Sequence, residues 1–279
     1  MKHMKRSDIV QYGVYLREQE RSVATIEKYT RALERFYAWL PEEKSVDKLR
    51  LIAYKEVLEK NYAPAGANAE IAAINGFCRH MEWLDCIIKP FRIQRRVFAA
   101  PERELSRNEY LALVNAAERK KDHRLALLLQ LVASTGIRVS EIKYVTVEAL
   151  EQGRVHIHLK GKIRTVLLPG KLCSKLRKYQ IAQRIKEGML FCTRSGKALD
   201  RREIWAQMKQ LCAYAGVPAS RVFPHNLRHL FARTFYHAQR DIAKLADVLG
   251  HSSIETTRIY LISSGQEHQA VLDRLQLVC

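Results

Sequence analysis

The sequence predicts a mainly α-helical protein of two domains, the second carrying a small antiparallel sheet. Three observations support this. Apolar residues recur at helical spacing through most of the chain, with Ile26, Tyr29, Leu33, Phe36, Tyr37 and Leu40 the clearest stripe. One stretch alone alternates as a strand pair, RVHIHL (154–159) and IRTVLLP (163–169) about a short turn. Between residues 89 and 104 the periodicity lapses into KPFRIQRRVFAAPERE, a proline- and arginine-rich segment that reads as a linker. The expected division is 1–90 for a helical domain, 91–104 for the linker and 105–279 for the second domain.

The 279 residues, 47% of them hydrophobic, are enough for two cores. In the first domain, helices are expected over 22–40, closed by Pro41, then 47–60 and 65–84. Ser106 and Glu109 form a capping box that opens the second domain. LALLLQLVA (125–133) is too short to span a membrane, which takes about 18 apolar residues, and reads as a buried helix. After the hairpin come a helix near 171–187, a third strand at MLFCT (189–193), and a helix over 202–216 ended by Gly216. Pro224 suits a first helical turn, and Leu227, Leu230, Phe231 and Phe235 bury one side of that helix, leaving a polar stripe with His225 and Arg228. DIAKLADVL (241–249) is a short amphipathic helix stopped by Gly250, and Ser252 with Glu255 suggests a capping box for the helix that bears Tyr260. The tail places Ala270, Val271, Leu275 and Val278 near helical spacing, a candidate helix near 265–278 that would pack on its own domain.

Charge narrows the function. There are 48 Lys and Arg against 29 Asp and Glu, a net +19, which attracts a polyanion and favours nucleic acid over an anionic membrane surface. The six cysteines form no CxxC pair, as expected of reduced thiols in a cytoplasmic protein. No carboxylate or cysteine cluster suggests a metal, and no cofactor fingerprint is expected. The N-terminus has charges but no apolar stretch after them, unlike a signal peptide.

Four phrases carry a specific resemblance: STGIRVSEI around Arg138, the KGK turn with Lys160 and Lys162, PHNLRHLFAR with His225 and Arg228, and LGHSSIETTRIYL, where Tyr260 follows His251 by nine residues. Together and in this order they resemble the tyrosine recombinases, the phage integrase and Xer-like family. The resemblance implies a helical core-binding (SAM-like) domain before a mixed α/β catalytic domain. Its catalytic set would be Arg138, Lys160, His225, Arg228, His251 and Tyr260, with Glu141 holding Arg138 and Lys162 the alternative to Lys160. It further implies site-specific strand exchange in double-stranded DNA through a 3′-phosphotyrosyl intermediate, without metal or ATP. The protein would be monomeric in free solution and tetrameric on two duplexes, and the alternative it opens for the helix near 265–278 is to dock on a neighbouring protomer as a partner helix. Arginine suits the phosphate because its planar fork of donors matches two oxygens and keeps its charge. The alternatives at this stage are a type IB topoisomerase, which reseals the same strand, and a DNA-binding accessory protein that has lost catalysis.

Overall fold

A computed structural model describes residues 2–93, 104–159, 162–193, 195–261 and 273–275. The chain forms two compact units, Met1–Arg95 and Arg96–Cys279.

In the first unit four helices enclose a core: α1 (Arg6–Glu18), α2 (Val23–Trp39), α3 (Lys48–Asn61) and α4 (Pro64–His80). α1 lies ahead of the first helix that periodicity predicts. α2 and α3 begin where Ser22 and Asp47 accept the backbone N–H groups of Thr25 and Arg50, so each cap satisfies an otherwise unpaired donor. The expected stripe of α2 puts Leu33 and Phe36 fully inside, against Leu51, Leu58, Ile71, Ile74 and Phe77. A short antiparallel pair, β1 (Lys2–His3) with β2 (Ser45–Val46), completes the unit. Arg35 donates to the buried Glu70 through Nε and Nη2, one edge of the guanidinium, at 2.7 to 3.2 Å. Asn75 exchanges two hydrogen bonds with the backbone of Ile88, and Asn68 does the same with Phe91. The chain is thus laid along α4 as far as Phe91. Most of the expected linker lies outside the described residues.

The second unit begins with α5 (Arg107–Arg119), opened by the Ser106–Glu109 capping box, and the buried α6 (His123–Thr135), ended by left-handed Gly136. A 3₁₀ turn over Val139–Tyr144 follows, with Arg138 at its start. Next come α7 (Val147–Glu151) and the hairpin of β3 (Arg154–Leu159) and β4 (Lys162–Leu167), paired antiparallel with Leu159 opposite Lys162. Val155 and Ile157 point inward as expected; across from them Arg164 shares its face of β4 with the buried Val166. α8 (Gly170–Ala182) stops short of the expected residue 187. The third strand expected at 189–193 is not formed: Met189 and Cys192 make only isolated bridges, to Thr146 and Ala198. Leu190 and Phe191 are instead fully buried in the core, which uses the apolar run without needing a ladder.

α9 (Arg201–Ala215), α10 (Pro224–Gln239), α11 (Ile242–Leu249) and α12 (Ile254–Arg258) complete the described fold, with a 3₁₀ turn over Ile259–Leu261. Gly216 and Gly250 take left-handed C-cap positions. The cap of α12 is Ser253, not Ser252, and its hydroxyl accepts from the Glu255 N–H. Most of the candidate partner helix near 265–278 lies outside the described residues. The five described cysteines are free thiols, and among the described residues no helix is long and apolar enough to cross a membrane.

Candidate active site

α10 supplies the centre of the site. Pro224 at its first turn fixes the entry, and Leu227 and Ala232 anchor it in apolar surroundings. The polar stripe expected to be free is only partly so. His225 is exposed, but Arg228 is 2% exposed. A buried guanidinium must be matched by acceptors, and here the backbone provides them. Arg228 donates to the Gly136 carbonyl, to the Leu249 carbonyl at 2.8 Å and to His251 Nε2 at 2.9 Å. Its Nε lies 3.4 Å from the Tyr260 hydroxyl. Both carbonyls belong to helix ends closed by left-handed glycines, where the last oxygens lack helical partners.

Tyr260 is 6% exposed and packs with Ala232, Leu245 and Leu249. Three imidazoles surround its ring, with centroids at 4.3 Å for His229, 5.4 Å for His225 and 5.6 Å for His251. Because arginine has no acceptor, His251 Nε2 must accept from Arg228. His251 Nδ1 therefore carries the proton and donates to the buried Thr257 hydroxyl at 2.9 Å. Burial, reinforced by Arg228, lowers His251 to about 4, and burial with His225 and Arg228 takes His229 to about 4 as well. His225 is lowered by partial burial of its ring and by Arg228, Arg201 and Arg138.

Arg138 starts the 3₁₀ turn and is held from behind by Glu141. The buried carboxylate accepts from the Arg138 backbone N–H and from Nη1, both at 2.9 Å. The Arg138 side chain stays 39% exposed, so donors remain open to solvent. Arg138, Ser140, Arg201, His225 and Arg228 line one cavity of about 180 Å³. The lining contains three cations and no carboxylate, a setting suited to an anion. Among the described residues no group of His, Cys, Asp and Glu could hold a metal ion.

Arg138, His225, Arg228, His251 and Tyr260 therefore come together from four separate segments. Lys160 lies outside the described residues, and of Lys162 only the backbone is described, opposite Leu159 in the hairpin. Sequence reasoning passed over His229, Thr257, Arg164 and Arg201. His229 and Thr257 sit inside the quoted motifs, and Arg164 is a charge at an inward position of a strand; those were the available signals.

Residues 103–267 match the model of the phage integrase family. The chain belongs to that family. It is 29% identical over 284 residues to the tyrosine recombinase XerA of Thermococcus kodakarensis, covering 96% of each protein. The tyrosine recombinase XerC of Neisseria meningitidis is 37% identical over 145 residues, half of this chain and 46% of that protein. Among solved structures, XerH bound to palindromic difH in a post-cleavage complex matches with a TM-score of 0.75 at 22% identity, over 96% of this chain and 84% of that one. A λ integrase tetramer bound to a Holliday junction gives 0.74 at 16% identity, over 91% and 76%. As a phage integrase family member, the protein is a site-specific tyrosine recombinase.

Proposed function

We propose that this recombinase binds double-stranded DNA and exchanges its strands through a covalent bond between Tyr260 and a 3′ phosphate. The observation that carries the reading is the Tyr260 hydroxyl resting on Arg228, beside the cavity that Arg228 shares with Arg138 and His225. In this reading Arg138 and Arg228 hold the non-bridging oxygens of one phosphodiester, compensating the charge that repels a nucleophile. The Tyr260 oxygen bonds to phosphorus while the bond from phosphorus to O5′ breaks. The tyrosyl proton passes to His225, whose lowered proton affinity keeps it neutral at pH 7 and ready to accept. O5′ takes a proton from the hairpin lysine, Lys160 with Lys162 as the alternative. Attack by a different 5′ hydroxyl reverses the step on a new strand, so the bond energy is kept and neither ATP nor metal is required.

Loading the phosphate requires Arg228 to exchange internal partners for substrate oxygens. His251 then loses a cationic neighbour and gains an anionic one, which raises its proton affinity and converts Nε2 from acceptor to donor. Thr257 holds the other face of the ring throughout. The net charge of +19 supports the DNA-binding part of the reading and predicts affinity that falls steeply with salt. The XerH relative is bound to difH and the λ integrase is a tetramer on a Holliday junction. By analogy this chain is a monomer in free solution and a tetramer on two duplexes, which sizing with and without a cognate site measures.

The deciding experiment incubates wild type and Tyr260→Phe with nicked duplexes from the neighbouring DNA, without metal. A denaturation-resistant adduct in wild type alone is expected. An adduct that persists in the Phe variant overturns the nucleophile, and tight binding without any adduct favours a silent accessory role.

A further inference from the structure

Among the described side chains of β4, Arg164 is the one charged group on the inward face, and its placement is not explained by any of the roles above. Its side chain is 13% exposed. Nη2 donates to Glu141 Oε2 at 3.1 Å, the same oxygen that accepts from the Arg138 backbone, and Nη1 donates to the Leu249 carbonyl, the acceptor that also receives Arg228. Its aliphatic stem lies against Gly250, where an added Cβ would come within 2.4 Å of Arg164 Cδ. Gly250 directly precedes His251. One side chain therefore touches the supports of Arg138 and of Arg228 and the residue before His251, while its own backbone pairs with Ile157 in the hairpin.

A cation in this position is costly. Burial lowers Arg164 to about 10, with Glu141 opposing and Arg228 and Arg138 adding to the effect, and its Nε is buried without a hydrogen-bond partner. An apolar residue would serve the hairpin's packing at less cost, as Val166 does on the same face. What a cation adds is a fixed distance between the hairpin and two hydrogen-bond acceptors of the phosphate site.

Resting on the catalytic reading above, we propose that Arg164 is a positioning residue that sets the β3–β4 hairpin, and with it the proton-donating lysine, in register with the Arg138–Arg228 clamp. The residue itself touches neither substrate nor reacting atoms. Its loss leaves phosphate binding in place and misplaces the donor to O5′; a displacement of about 1 Å is enough to slow a reaction about 100-fold.

The test uses the full chain with Arg164→Ala and Arg164→Lys on two nicked substrates, one with the ordinary bridging oxygen and one with sulfur at the 5′ bridging position. A thiolate leaves without needing a proton. The expected result is a cleavage rate down about 100-fold on the oxygen substrate and less than about 10-fold on the sulfur substrate, with DNA affinity unchanged. Lysine, which reaches only one of the two acceptors, should fall between wild type and alanine. Equal losses on both substrates overturn the proposal and leave Arg164 as a support of the clamp; wild-type rates in both variants overturn it outright. Melting curves accompany each variant, and the comparison rests on Arg164→Lys if the alanine protein does not fold. Failure of wild type to form any adduct would instead count against the catalytic reading itself.

Discussion

Replacing Gly136 with alanine tests how the clamp is built. Gly136 has φ of +64°, and a Cβ there would meet Phe231 Cδ1 at 2.5 Å and Leu249 Cδ2 at 2.9 Å. The left-handed conformation costs an L-residue about 1–2 kcal/mol. Relieving the contacts means turning Phe231 and shifting Leu249, overpacking that costs a further 1–3 kcal/mol or so. The sum is about 2–5 kcal/mol, a large share of the roughly 5–15 kcal/mol that holds a domain together. Leu249 cannot shift alone, because its carbonyl accepts from Arg228 and Arg164. Activity should therefore fall by more than the unfolded fraction accounts for. The assay is urea unfolding of the full chain beside single-turnover cleavage at a urea concentration where both proteins are folded. With a denaturant slope of about 2 kcal/mol per molar, the midpoint of the second unit should drop by at least about 1 M. A drop under about 0.3 M would refute the reasoning, since it would mean that neither the backbone conformation nor the packing constrains this position.

Two further outcomes follow from the same geometry. Thr257→Val keeps shape but removes the acceptor of His251 Nδ1, so cleavage should slow by about 10-fold or more while melting moves by about 1–2 kcal/mol, the cost of a buried donor left unpaired; unchanged cleavage would show that Thr257 does not set the ring. Stability should also depend on pH between about 4 and 6.5. The folded protein keeps His229 and His251 neutral down to about 4, whereas the unfolded chain protonates them below about 6.5, so stability is full above that range and is lost as pH falls through it. His229 alone should account for about 2 kcal/mol between pH 7 and pH 5. His251 is more open to solvent and contributes less. Urea midpoints of wild type and His229→Gln across that range measure the difference, and parallel curves would contradict it.

The parts of the fold that were legible are those where local chemistry and burial coincide. Ser22, Asp47 and Ser106 cap helices as their side chains suggest, and Gly216, Gly250 and Pro224 mark ends and starts. Where burial is satisfied without a ladder, the pattern misleads. MLFCT has the composition of a strand, but its apolar side chains are buried by neighbouring helices and only single bridges form. In β4 the outward Ile163 and Leu167 are as apolar as the inward Val166, so alternation alone does not identify the buried face. The residues gathered at the candidate site stand in recognisable motifs, as does Glu141 behind Arg138, whereas the other supports were not identified from the sequence. Arg228 and Arg164 are held mainly by backbone carbonyls of distant segments, and a carbonyl leaves no mark on the sequence. The burial of Arg228 follows from those acceptors, and a reading of α10 alone could not anticipate it.

The bond between Arg228 and the Tyr260 hydroxyl joins two residues of a single chain. On the proposed reading, each subunit of an assembly carries its own scissors. A Tyr260→Phe subunit mixed with an Arg228→Ala subunit cannot then repair it, because the first lacks a blade and the second lacks the grip. Strand exchange would be governed by which complete subunits are allowed to fire, and the order of cutting becomes a property of the assembly and not of any one site.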